Sequence, residues 1–270
     1  MNKVEQLCVS ARHSSWLSHA GWLWDGIRPR YNEAIALLGR KGLQRVINGT
    51  DILRVSPPCR GITETYEPDV WKHLMAHVQP GDSVADVGAF VGLYSIALAK
   101  RIGAGGHVTA FEPDPANFAA LVAHCRLNGV ADRVTVIQAA VADQDGIAAF
   151  DSGRSSESRL SPVGEGSLPA VPCTRIDTVF ANSRLDMLKM DVEGWEEPVL
   201  KGGMALLRDR RRKPRAIYIE VHPYAWPMVG TSADSLLDLL SRCNYRVSDL
   251  EGHPVTQIRS YGEIVALRKD

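Results

Sequence analysis

The sequence predicts an α/β fold: a mostly parallel seven-stranded sheet with helices on both faces, preceded by an N-terminal extension. Three observations predict it. Short apolar runs alternate with helix-period segments from Ser83 onward, and strands separated by helices pair in parallel. A strand, a glycine-bearing turn and a helix follow one another without interruption between Asp82 and Lys100. Four of the five parallel strands end in or beside a carboxylate, and ligands of such sheets bind beyond the carboxyl ends of the strands.

The elements follow in order. Pro80-Gly81 sets the start of a strand at 82–85, and Leu93 to Lys100 has apolar residues at helical spacing. The second strand is Val108 to Phe111. The helix after it, 116–128, presents Phe118, Leu121, Val122 and Cys125 on one face and stops at Asn128-Gly129. Asp114, directly before Pro115, is placed to cap that helix. Val134 to Ile137 is the third strand, Gly146 to Phe150 an edge excursion, and Asp151 to Gly166 reads as a Ser/Gly/Arg-rich surface loop. A fourth strand at 187–191 leads into a helix at 196–208, and a fifth at 216–221 precedes a helix at 233–243. Strands at 245–247 and 264–267 complete the sheet.

With 270 residues the chain suits one large domain, 61–270, behind an extension of residues 1–60. Lysine plus arginine equals aspartate plus glutamate at 31 each, so no global field attracts nucleic acid or an anionic membrane. The basic run from Arg208 to Arg215 reads as a solvated helix end. No apolar stretch approaches the roughly 20 residues of a membrane span, and the N-terminus has no signal-peptide core. Five scattered cysteines without paired spacing point to a reducing, cytoplasmic setting and away from structural zinc.

The candidate site begins with Asp86-Val87-Gly88-Ala89-Phe90-Val91-Gly92. Glycine lets backbone N–H groups and a helix N-terminus come close to a polar ligand. The run is neither Gly-x-Gly-x-x-Gly nor a phosphate loop. An acid, Asp86, pointing into this turn suits a ligand with a positive end, such as S-adenosylmethionine, better than pyrophosphate. Glu112, at the end of the second strand and about 24 residues beyond Gly88, is placed to accept hydrogen bonds from ribose hydroxyls. That ribose occurs equally in nicotinamide cofactors. Ala139-Ala140-Val141 offers small residues against which an adenine ring can lie.

Taken together, these residues resemble the FkbM-type family of S-adenosylmethionine-dependent methyltransferases. The segments that carry the resemblance run from Tyr66-Glu67-Pro68 through the glycine turn, Phe111-Glu112-Pro113 and Ala139-Ala140-Val141. They continue with Leu188-Lys189-Met190-Asp191-Val192-Glu193-Gly194, Val199-Leu200-Lys201-Gly202-Gly203 and Ile219-Glu220-Val221-His222. The resemblance covers about residues 60–268 and implies a Rossmann-like methyltransferase fold with S-adenosylmethionine at Tyr66, Asp86, Gly88, Ala89, Phe90, Gly92, Glu112 and Ala140. It further implies methylation of a hydroxyl on a sugar or polyketide. One departure stands out: the family often has Asn where this chain has Phe90, so a polar contact is missing or is made by backbone.

Methyl transfer to an alcohol needs a positioned oxygen and a base to take its proton. Lys189, Asp191 and Glu193 share parity, which along an extended strand puts all three on one side. Asp191 is expected nearest the reacting centre, with Glu193 and His222 as competing bases; His222 has the more suitable ordinary pKa, about 6.5. Lys189, Glu220 and Trp195 are candidate acceptor contacts, although Lys189 equally suits an ion pair with Asp191 or Glu193 and Trp195 equally suits packing. Asp191, Glu193, Glu220 and His222 also offer ligands for a divalent ion. Their spacing matches no dedicated metal motif, so a metal-free site is the expectation.

Trp16, Trp22, Trp24 and Tyr31 mark the extension as helices, with a short hairpin as an option, that cover the acceptor pocket or make a homodimer contact. Two other functions share the glycine turn and distal acid. A nicotinamide-dependent oxidoreductase lacks its fingerprint here, and a non-catalytic nucleotide-binding module has no need of the clustered charge around Asp191.

Overall fold

The computed structural model describes residues 29–30, 33, 39–151, 159–161 and 170–269. Trp16, Trp22, Trp24 and Tyr31 lie outside the described residues.

A hairpin opens the described chain. Strands β1 (Leu43–Ile47) and β2 (Asp51–Val55) pair antiparallel. They are joined through Asn48 and Gly49, which both take positive φ, the conformation a tight hairpin turn needs. Their alternation buries Leu43, Ile47, Leu53 and Val55 against the core. Helix α1 (Pro68–His77) then sends Trp71 and Leu74 into the same core.

The main sheet follows. Strand β3 (Ser83–Val87) runs into α2 (Leu93–Ile102), β4 (His107–Phe111) into α3 (Pro115–Leu127), and then comes β5 (Val134–Ile137). Asp114 caps α3 by accepting the N–H groups of Ala116 and Asn117, with Pro115 in the first turn. A smaller sheet interrupts the alternation: β6 (Ala140–Val141), β7 (Gly146–Asp151), β8 (Arg159–Ser161) and β9 (Ala170–Thr174), ordered β6-β9-β7-β8. The surface loop expected from Asp151 to Gly166 therefore includes strand residues at Asp151 and at 159–161; its remainder lies outside the described residues.

A short α4 (Ile176–Val179) leads to β10 (Met187–Met190). The single helix expected over 196–208 is two, α5 (Glu196–Lys201) and α6 (Met204–Arg208), broken at Gly202-Gly203. A Cβ on Gly202 would sit 1.9 Å from the Ala142 carbonyl oxygen. The glycine pair lets the chain turn where it meets the smaller sheet. Strand β11 (Ala216–Val221), α7 (Ala233–Arg242), β12 (Tyr245–Ser248) and β13 (Gly262–Arg268) finish the chain.

The seven main strands lie in the order β12-β13-β11-β10-β3-β4-β5. All neighbours from β11 to β5 are parallel, and β13 is antiparallel to both of its own. Strands β10, β3, β4 and β11 are almost wholly buried, as a sheet covered on both faces requires. Leu98, Leu121 and Trp71 pack on one face, and Leu188, Ile219 and Leu240 on the other. Strand order reverses between β3 and β10, so the crevice lies where those two strands end. Among the described residues no helix is long and apolar enough to cross a membrane.

Candidate active site at the reversal of strand order

The ends of β3 and β10 touch. Asp191 N donates to Val87 O at 2.9 Å, and a Cβ on Gly88 would lie 1.8 Å from the Asp191 carbonyl oxygen. Gly88, at φ +77°, is the residue this approach permits. A cavity of about 510 Å³ opens beside it, within the range of small-molecule sites.

One wall of the cavity comes from the first two β–α turns. Gly88, Phe90, Glu112, Asn117 and Ala140 line it. Phe90 takes φ +50° and donates its N–H to Glu112 Oε2 at 2.8 Å. The Phe90 main chain is thus tied to Glu112, at the position where the family often has Asn. Glu112 Oε1 accepts the Asp114 N–H at 2.9 Å. Burial pushes the Glu112 carboxyl up to about 7, against the two N–H bonds from Asp114 and Phe90. Tyr66 closes one end, and the hairpin fixes it: Asn48 Nδ2 donates to Tyr66 O at 2.7 Å and Asn48 Oδ1 accepts Tyr66 N–H at 2.9 Å.

Three residues expected at the cofactor lie behind this wall instead. Asp86 is fully buried and directed at α2, accepting the Ser95 hydroxyl on Oδ2 at 2.5 Å. Its Oδ1 has no hydrogen-bond partner among the described residues. Strand parity explains this: the turn begins at Gly88, and Asp86 still belongs to β3, facing the core. Ala89 is buried and donates its N–H to Phe111 O at 2.9 Å. Gly92 starts α2, where a Cβ would meet Leu121 Cδ1 at 2.1 Å, so it serves helix packing.

The opposite wall carries the charge. Asp191, Glu193, Glu220, His222 and Trp195 all line the cavity. Lys189 does not line it; it is buried, with Nζ 3.8 Å from Asp191 Oδ2 and 4.9 Å from the centre of the Tyr94 ring. The ion-pair reading of Lys189 is the one the geometry bears out. Burial opposes its charge, but Asp191 and Asp86 outweigh that and hold the ammonium form. Asp191 and Glu193 do share this wall, although β10 ends at Met190 and Glu193 sits at φ +50° in a turn completed by Gly194. The turn, not strand parity, brings Glu193 to Asp191.

His222 organises this wall. Its Nδ1 lies 2.8 Å from Glu196 Oε1, and Glu196 is wholly buried, also accepting Gly194 N–H at 3.0 Å and, on Oε2, Trp226 Nε1–H at 2.7 Å. Nε2 faces Glu193 Oε2 at 3.5 Å, Asp191 Oδ1 at 3.8 Å and Glu220 Oε1 at 3.9 Å. Burial alone would lower the imidazole pKa. The Glu196 hydrogen bond and the Glu193 charge outweigh it and carry the value up to about 9. The ordinary value near 6.5 that made His222 an attractive base does not hold in the fold.

Sequence reasoning missed four acids and tyrosines here. Glu196 reads only as a helix start, yet it orients His222. Tyr224 donates to Glu193 Oε2 at 2.6 Å, and Tyr261 donates to Glu220. Glu67, at φ +40° before α1, accepts the Tyr94 hydroxyl at 2.8 Å.

The family model described as the methyltransferase FkbM domain matches residues 86–247, which spans both walls. The chain belongs to the FkbM-type family of S-adenosylmethionine-dependent methyltransferases. The fold of this FkbM-family chain is accordingly the Rossmann-like methyltransferase fold. No curated protein sequence matches it. Among solved structures it is similar to methyltransferase FkbM from Methylobacillus flagellatus KT, at 18% identity and TM-score 0.47, over 69% of this chain and 43% of that one. The chain thus spans less than half the length of that relative. It is also similar to an S-adenosylmethionine-dependent O-methyltransferase from Thermotoga maritima, at 16% identity, TM-score 0.44, and 76% and 66% coverage. A third is Aeropyrum pernix fibrillarin in complex with S-adenosylmethionine, at 14% identity, TM-score 0.41, and 70% and 68% coverage.

Proposed function

We propose that this protein methylates a hydroxyl of a small molecule, a sugar moiety or a polyketide-type natural product, with S-adenosylmethionine as donor. The observation that carries the reading is one cavity with two unlike walls: a glycine turn with Glu112 on one side, and Asp191, Glu193 and His222 on the other. The first wall fits the donor. Gly88 leaves room for close approach, Glu112 offers carboxylate oxygens to ribose hydroxyls, and Ala139 and Ala140 keep that side of the cavity low. When bound there, the donor supplies a methyl carbon open to in-line attack.

The chain's own residues hold the acceptor and take its proton. Trp195, Phe150 and Tyr224 offer aromatic surface beside the charged wall, which suits the apolar faces of a sugar or macrocycle. In metal-free protein His222, cationic at neutral pH, balances the two carboxylates beside it. The proton acceptor is therefore a carboxylate. Asp191 is the better placed, since Glu193 already accepts the Tyr224 hydroxyl.

Calorimetry with S-adenosylhomocysteine and with NAD, followed by a mass-spectrometric screen of hydroxyl compounds with isotope-labelled donor, tests this reading. Binding of S-adenosylhomocysteine and a gain of one labelled methyl on an oxygen are expected. Heat with NAD alone would overturn it in favour of an oxidoreductase.

A further inference from the structure

We infer that Asp191, Glu193 and His222 form a divalent-cation site. One carboxylate oxygen from each acid and one imidazole nitrogen all lie within 4.8 Å of one another. Nε2 stands 3.5 Å from Glu193 Oε2 and 3.8 Å from Asp191 Oδ1. Those gaps are wide for hydrogen bonds, which favour about 3 Å. Donors that sit about 2.1 Å from a shared ion are separated by about 3 Å at right angles and about 4 Å when opposite. The three donors face one another across a space of that size.

Each donor is also oriented from behind, as metal ligands are. Glu196 holds Nδ1 of His222 at 2.8 Å, which leaves Nε2 as the nitrogen aimed at the acids; an ion there takes the place of the Nε2 proton, which is released to solvent on binding. Lys189 lies 3.8 Å from Asp191 Oδ2, the oxygen turned away from His222. Tyr224 fixes the Glu193 carboxylate at 2.6 Å.

A third acid stands beside these donors. The Glu220 side chain is 7% exposed and its Oε1 lies 3.9 Å from His222 Nε2. Its Oε2 is buried without a hydrogen-bond partner among the described residues. A cation held by His222 and the two acids would also offset part of the charge of this buried neighbour. One imidazole with two or three carboxylates suits a manganese-class ion.

The inference deepens the reading above and rests on it for the ion's role alone: the ion would meet the acceptor oxygen and ease loss of its proton. The site itself stands on geometry.

The test is an electron paramagnetic resonance titration of the full chain with Mn²⁺ at pH 8, with and without S-adenosylhomocysteine. One saturable ion per chain is expected, with nitrogen modulation in its spin echo from the His222 imidazole. Asp191→Asn and His222→Gln should each weaken binding at least about tenfold, and Glu196→Gln about 10- to 100-fold. His253→Gln, in the exposed Asp249–Glu251–His253 cluster, should leave it unchanged. No bound Mn²⁺ up to about 1 mM in wild-type protein that binds S-adenosylhomocysteine would overturn the site and leave the methyltransferase reading standing. So would an ion that lacks nitrogen modulation and survives the first two substitutions. Mn²⁺ bound as expected without S-adenosylhomocysteine affinity would instead count against the donor reading.

Discussion

Glu196 Oε1 and His222 Nδ1 meet at 2.8 Å beneath the charged wall, and Glu196 is fully shielded from solvent. The carboxylate is thereby a main support of the imidazolium. In metal-free protein, Glu196→Gln should drop the His222 titration midpoint from about 9 by about one pH unit or more. Histidine-resolved NMR titration measures this. An unmoved midpoint would mean that Glu193 and Asp191 set it.

The contact between Gly88 and Asp191 makes a second prediction. Gly88→Ala would push a Cβ into a backbone oxygen at 1.8 Å, whereas Gly92→Ala meets only the tip of Leu121 at 2.1 Å. Both positions have positive φ and share the backbone penalty of about 1–2 kcal/mol. Gly88→Ala should therefore cost clearly more, above about 3 kcal/mol. Urea unfolding of the two variants compares them.

Lys189 is buried between Asp86 and Asp191, the two groups that keep it charged. Lys189→Met leaves two acids uncompensated and should destabilise the fold by about 3–5 kcal/mol. Adding Asp86→Asn should restore part of that loss. A double variant no better than the single one would show that Asp86 and Lys189 are not coupled.

The glycine turn, its following helix and Glu112 were legible because local chemistry dictates them: glycine permits the positive φ of Gly88, and Pro115 with Asp114 marks a helix start. The smaller sheet was not. Pro172 interrupts β9 as a pattern, yet it pairs with Ile147 at a position whose missing N–H the sheet tolerates. Glu196 escaped notice because its role depends on His222, 26 residues away. The motif sets Asp86 two residues before Gly88 but does not say which side of the strand faces the ligand, and the fold turns Asp86 to Ser95.

Glu112 carries a pH dependence of known sign. Its folded pKa of about 7 lies above the ordinary 4.5. Its contribution to stability is therefore present in full below about 4.5 and lost as pH rises through 7. Donor affinity should move oppositely, since the ionised carboxylate accepts ribose hydroxyls better. Calorimetry with S-adenosylhomocysteine between pH 6 and 8 should show tighter binding at the upper end, and Glu112→Gln should flatten the profile.

His124 has the reverse sign. Its Nδ1 bonds the Val91 carbonyl at 2.8 Å, so that nitrogen carries the proton, and Nε2 accepts Ser56 N–H at 2.8 Å. Burial lowers its pKa from 6.5. The stability it confers is present above about 6.5 and lost as pH falls through the lowered folded value. His124→Leu leaves the buried Val91 carbonyl and the half-buried Ser56 N–H unmet and should cost about 2 kcal/mol or more, with a shallower acid limb in thermal melts.

Strand β13 lies between β12 and β11, although it is the last of the three in sequence. On the ribosome, β11 and β12 emerge first, and neither has its final neighbour until residue 268 is out. Until then the nascent sheet carries a bare edge at Ile217 and Ile219, the kind of edge that invites wrong pairing. The half of the sheet that leads to His222 can be completed only after translation of β13.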